Sequence, residues 1–97
     1  MKQIDSEKLV ERKLVELVKA CGGMCIKLLC DQLIGLPDRL CLFPNGKAIF
    51  VELKTTGRKP SRIQVFMHKK LRALGFRVEV IDTIQGVIDF VNSINHE

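Results

Sequence analysis

Glu52 and Lys54 stand two residues apart at the end of an otherwise mostly apolar run, Ala-Ile-Phe-Val-Glu-Leu-Lys from Ala48 to Lys54. Such a run reads as a strand buried on both faces. Side chains at i and i+2 of a strand point to one side, with Cα atoms roughly 6.5 to 7 Å apart. A carboxylate and an ammonium so placed are costly to bury unless they pair or bind something. Taken alone, Glu-x-Lys fits a structural ion pair equally well. The second element is Asp38, which follows Pro37 and precedes Glu52 by fourteen residues. Pro37 stiffens the entry to the preceding strand, so Asp38 can converge on Glu52 from that strand's start. The alternative is an ordinary Pro-Asp turn residue. Two carboxylates converging beside a lysine offer hard oxygen ligands to Mg²⁺ or Mn²⁺, ions that keep waters for chemistry. A lysine near such a water can stabilise hydroxide and the charge that develops on a phosphoryl group.

The elements that must position these residues follow from periodicity. Ser6 can cap a helix over residues 6 to 21, in which Leu9, Val10, Leu14, Leu17, Val18 and Cys21 form one apolar stripe. Gly22-Gly23 ends it. Met24 to Leu29 reads as a first strand, Asp31 to Asp38 as a loop and Arg39 to Phe43 as a second strand. Asn45-Gly46 signals a tight hairpin turn into the third strand, Ala48 to Lys54. After a basic loop, Ser61 caps a helix running to about Leu74, with Ile63, Phe66, Met67 and Leu71 available to the core. Arg77 to Ile81 is a fourth strand. Thr83 caps a last helix with Ile84, Val87, Ile88 and Val91 facing inward. The order α-β-β-β-α-β-α predicts an antiparallel meander and a parallel fourth strand reached through a helical crossover. The fold class is therefore α/β, a mixed four-stranded sheet flanked by helices.

Ninety-seven residues fit one domain, 1–97. No apolar run approaches a membrane span. The start, Met1-Lys2-Gln3-Ile4-Asp5, turns polar at once, unlike a secretory signal, so a cytoplasmic protein is expected. Cys21, Cys25, Cys30 and Cys41 match no standard zinc spacing, and read as small buried hydrophobes. His68 and His96 read as surface residues. The net charge of +5 is unevenly spread: residues 54–77 hold eight basic and no acidic residues, and the remainder sums to −3. A one-sign segment of this kind suits a polyanion such as nucleic acid, although a solvated basic helix would look the same.

Pro37-Asp38, a hairpin-length spacer and Glu52-Leu53-Lys54 resemble the PD-(D/E)xK nuclease signature. More narrowly, the chain resembles the VRR-NUC family. The likeness is carried by Glu-Arg-Lys-Leu-Val at 11 to 15, Gly22-Gly23, Lys27, Gly35-Leu36-Pro37-Asp38-Arg39, Phe50-Val51-Glu52-Leu53-Lys54, Gln64 and Leu71-Arg72-Ala73-Leu74-Gly75. These pieces cover nearly the whole chain in order. The resemblance implies a restriction-endonuclease-like core and metal-dependent hydrolysis of DNA phosphodiesters, in the stand-alone form often found in phages. It implies Asp38 and Glu52 as metal ligands and Lys54 as the catalytic lysine. It also implies Glu11 as an additional acidic ligand from the first helix, the Leu53 carbonyl as another ligand, and Gln64 as a supporting residue. Glu7, one helical turn before Glu11, competes for the ligand role. Lys27 is a candidate phosphate contact. Arg58, Lys59, Arg62, Lys69 and Arg72 are candidates for the DNA face. Resolving a branched substrate such as a Holliday junction takes two cuts, which leads to the expectation of a homodimer. Its contacts would draw on Leu28, Leu29, Leu33, Ile34 and Leu40 to Phe43. The alternative is a non-catalytic DNA-binding or phage interaction module on a nuclease fold.

Overall fold

Apolar alternation along three strands and an apolar stripe on two helices leave this chain one economical arrangement. A computed structural model describes residues 3–97; Met1 and Lys2, the first residues of the polar start, lie outside the described residues. The elements are α1 (Glu7–Ala20), β1 (Met24–Lys27), β2 (Arg39–Phe43), β3 (Lys47–Leu53), α2 (Arg62–Ala73), β4 (Arg77–Ile81) and α3 (Ile84–Asn95). The sheet order is β1-β2-β3-β4. The first two pairings are antiparallel and β3 pairs with β4 in parallel through the α2 crossover, as the element order predicts. Asn45 and Gly46 both take positive φ, 70° and 77°, the backbone that a tight hairpin turn requires. The first strand is shorter than expected, ending at Lys27. The ladder nevertheless continues one bond further, from Leu28 N–H to the Asp38 carbonyl at 2.9 Å.

The core lies on one face of the sheet. Val10, Leu14 and Val18 of α1 and Val87, Phe90, Val91 and Ile94 of α3 pack on Cys41, Phe43, Ile49, Val51, Leu53 and Ile81. Period two sends Glu52 to the opposite face, which α2 covers. This explains a departure from the expected helix packing. Ile63 and Phe66 are exposed, Phe66 by 58%, Met67 and Leu71 are half-buried, and the buried residue of α2 is His68. The sheet beneath α2 presents a carboxylate, so the helix meets it with polar side chains. The assignment of His68 to the surface is thereby corrected.

Alternation also divides the residues expected at a dimer contact. Cys41 and Phe43 belong to the core and are removed from that set; Leu40 and Leu42 are half-buried, while Leu29, Leu33 and Ile34 are exposed. The cysteines are free thiols. Cys41 is buried, and Cys21 and Cys25 pack against the core, but Cys30 is exposed, contrary to a uniform buried reading.

Asp5, which carries no role in the sequence reading, ties the start of the chain to two distant elements. It is 7% exposed. Its Oδ2 accepts from Ile84 N–H at 2.8 Å, capping α3. Its own N–H donates to Thr56 Oγ1 at 2.9 Å, and its carbonyl accepts from Thr56 N–H at 3.0 Å. Glu7 N–H donates to Thr55 Oγ1 at 3.0 Å, so the loop after Lys54 is held against the start of α1. An unsatisfied buried donor costs about 1–3 kcal/mol. Asp5→Ala is therefore expected to lower Tm by roughly 5 to 15 °C, and Asp5→Asn, which keeps an acceptor, by much less. Equal melting of Asp5→Ala and the parent would show that the cap contributes nothing.

Candidate active site

Strand register builds the centre of the site. Arg39 pairs with Val51, so Asp38, one residue earlier, falls opposite Glu52. Pro37 is buried behind it. The Asp38 Oδ2 accepts from Leu53 N–H at 2.8 Å, which fixes the carboxylate at the end of β3. On the same strand, Lys54 Nζ lies 3.1 Å from Glu52 Oε2, with the Glu52 side chain 1% and the Lys54 side chain 16% exposed. The structure thus brings together Asp38, Glu52 and Lys54.

Helix α2 supplies the next contacts. Gln64 completes a capping box: its Oε1 accepts from Ser61 N–H at 2.8 Å, and its N–H donates to Ser61 Oγ. The other end of the same amide, Nε2, donates to Glu52 Oε2 at 3.0 Å. One side chain therefore caps the helix and aligns it on the acid. Gly35 fixes the same helix start from the other side. Its φ is +90°, and a Cβ there would come within 2.7 Å of the Ile63 carbonyl. Only glycine lets the loop that leads into Pro37-Asp38 lie this close to α2.

Burial, and then the nearby Asp38 charge, push the Glu52 carboxyl up to about 7, against the pull of Lys54; Glu7 adds a smaller upward push. Its Oε1 is buried with no hydrogen-bond partner. His68 Nε2, likewise buried and without a partner, lies 4.0 Å from that oxygen. Burial, together with Arg72 and Lys54, holds His68 below the ordinary imidazole range, which favours the neutral ring. Sequence reasoning missed this residue, although it stands four after Gln64 and hence on the same helical face.

The helix acids separate. Glu11 accepts from Arg39 Nε at 2.9 Å. Arg39 shares the strand face of Cys41, toward α1, and so Glu11 lies across the sheet from the Glu52 carboxylate. The α1 carboxylate whose charge reaches Glu52 is Glu7. Among the described residues, no three His, Cys, Asp or Glu side chains converge as a complete metal cage. Lys27 is exposed on the edge strand, across from Arg39. Arg58, Lys59, Arg62 and Lys69 are exposed. Arg72, likewise exposed, also donates to the Val78 carbonyl at 2.8 Å, which ties α2 to β4.

The elevated Glu52 carboxyl has a consequence for stability. The folded protein holds this proton more tightly than the unfolded chain, whose value is near 4.5. The stabilisation is complete below pH 4.5 and is lost as the pH rises toward about 7. The loss is on the order of 3 kcal/mol. Denaturant melts of chelator-treated protein at pH 5 and pH 8 should show the decline, and Glu52→Gln should abolish it. An identical pH dependence in parent and variant would contradict this assignment.

No family model matches the chain. A protein named "Putative nuclease p44", from Acyrthosiphon pisum secondary endosymbiont phage 1, is 41% identical over 88 residues, covering 89% of this chain and 95% of its own length. Among solved structures, a VRR_NUC domain superposes with a TM-score of 0.83 at 29% identity, over 91% of this chain and 97% of that one. The fold is therefore restriction-endonuclease-like, a fold that generally works with divalent metals. Sequence relationship, fold and the Asp38, Glu52, Lys54 constellation agree, and the chain belongs to the VRR-NUC family of nuclease domains.

Proposed function

We propose that this protein is a Mg²⁺- or Mn²⁺-dependent deoxyribonuclease that hydrolyses phosphodiester bonds, with a preference for branched DNA such as a four-way junction. The observation that carries the reading is the buried Glu52 carboxylate, gripped by Lys54 and Gln64 directly opposite Asp38. A buried acid whose second oxygen lacks a partner among the described residues is characteristic of a functional site. The donor set fits a hard cation: Asp38, Glu52 and the Leu53 carbonyl are all oxygen. Glu7 is the α1 acid best placed to add a carboxylate, since Glu11 would first have to leave Arg39.

A bound divalent ion supplies charge for the scissile phosphate and lowers the pKa of the attacking water. Asp38 and Glu52 orient it. Lys54 keeps its ammonium beside the reacting oxygens, where it stabilises negative charge as it develops. Gln64 holds Glu52 in the required rotamer. Arg58, Lys59, Arg62 and Lys69 neutralise backbone phosphates, and Lys27 adds a contact from the sheet edge. Two sites in a homodimer would make the paired cuts that resolve a junction, and the exposed Leu29, Leu33 and Ile34 are available to that contact.

Labelled duplex, flap and four-way junction DNA, each with Mg²⁺ and with Mn²⁺, test the whole reading. The parent should cut the junction in pairs. Lys54→Ala should retain Mn²⁺ and DNA binding and lose cleavage by on the order of 100- to 1000-fold; Asp38→Asn and Glu52→Gln should lose both metal and cleavage. Near-parent cleavage by purified Lys54→Ala would refute the mechanism. Because Glu52 must give up its proton, Mn²⁺ affinity should fall roughly tenfold per pH unit below about 7. Glu7→Gln should weaken that affinity more than Glu11→Gln. Light scattering should give about twice the 11.0 kDa of one chain, and a single-chain mass would reject the dimer. Reversing Arg58, Lys59 and Arg62 together should weaken binding to every sequence and flatten its salt dependence.

A further inference from the structure

His68 is the buried residue of α2, at 2% exposure, in the centre of a helix face that would ordinarily carry an apolar side chain. Its Nε2 has no hydrogen-bond partner, and neither has the Glu52 Oε1 that it faces at 4.0 Å. Two unpartnered buried polar atoms directed at one another are a rare feature, and each carries a desolvation penalty of its own. The distance is just beyond a hydrogen bond, within reach of a sub-ångström adjustment of either side chain. The remaining donors to Glu52, from Lys54 and Gln64, both address Oε2. Among the described residues, no other donor reaches the inner oxygen to fix the rotation of the carboxylate plane.

We infer that His68 is a positioning residue for Glu52: its imidazole Nε2–H closes onto Oε1 and so orients Oε2 toward Lys54 and the cation. This rests on the nuclease reading above and assigns a residue that the reading does not need. A neutral imidazole has one N–H to donate, and carboxylate ligands hold their metals well only when an outer contact orients them. Helix α2 places both contacts, Gln64 at one oxygen and His68, one turn later, at the other.

The test compares His68→Leu, which keeps the volume and loses the donor, with His68→Gln, whose amide can present an N–H near the same position. Calorimetric Mn²⁺ titration of each purified protein is the primary readout. His68→Leu is expected to bind Mn²⁺ about 10- to 100-fold more weakly while melting, metal-free, near the parent temperature. Its kcat should fall with KM for DNA unchanged, and His68→Gln should recover most of the affinity. Parent-like Mn²⁺ affinity in His68→Leu overturns the inference. So does equal loss in both variants, which would make the side chain a packing element only. A parent that binds no Mn²⁺ rejects the nuclease reading itself, whereas a parent that binds alongside a His68→Leu that binds equally well rejects the positioning role alone.

Discussion

Burying the Glu52 carboxylate is the constraint on which the rest of the structure turns. An isolated ionised carboxylate in a protein interior would be destabilising by several kcal/mol, and a group in that position either finds partners or stays protonated. This one does part of each. Lys54 and Gln64 meet one oxygen, the other is left facing His68, and the carboxyl is pushed up to about 7. The Asp38 charge opposite adds to the push. Such a half-satisfied acid is poor design for a scaffold and good preparation for a cation, whose charge would offset both the burial and the repulsion.

The surrounding fold is organised to hold that arrangement. Asp38 is set by strand register, by Pro37 behind it and by the Leu53 N–H in front. Polar contacts help set the rotation and height of α2: the Gln64 amide spans Ser61 and Glu52, Gly35 admits the neighbouring loop, and Arg72 is tied to the Val78 carbonyl. Directional contacts suit this role because they specify orientation, which apolar burial does not.

Much of this was legible in the sequence, for identifiable reasons. Period two along Ala48 to Lys54 places Glu52 and Lys54 on one side without any knowledge of neighbours, and Asn45-Gly46 fixes the hairpin that brings Asp38 opposite. Gln64 follows from the ordered family likeness, and its contact with Glu52 is present. His68 and the choice between Glu7 and Glu11 were not legible. His68 looked like a surface residue because a polar residue on a helix is normally exposed; its burial depends on what the sheet presents beneath it. Glu11 and Glu7 differ by one helical turn and share one side of α1, so sequence spacing cannot choose between them. In the structure Arg39 engages Glu11, and the α1 charge felt at Glu52 is that of Glu7. Ile63 and Phe66 are exposed for the same reason as His68 is buried, since the helix packs over the Glu52 carboxylate, while Met67 and Leu71 are half-buried.

The two faces of the sheet consequently do different work. The face toward α1 and α3 holds the apolar core, from Val10 to Ile94, and accounts for most of the hydrophobic stabilisation available to so small a domain. The face toward α2 carries the ionisable groups and contributes geometry. Because β-strand alternation assigns successive residues to opposite faces, Val51 and Leu53 can belong wholly to the first while Glu52 and Lys54 belong to the second, within four consecutive positions. Alternation along one strand lets the core and the site share the same backbone. Changes on the core face should therefore act through folding. Changes at Gln64 or His68 remove an orienting contact while leaving that core in place, so they should act on the site first.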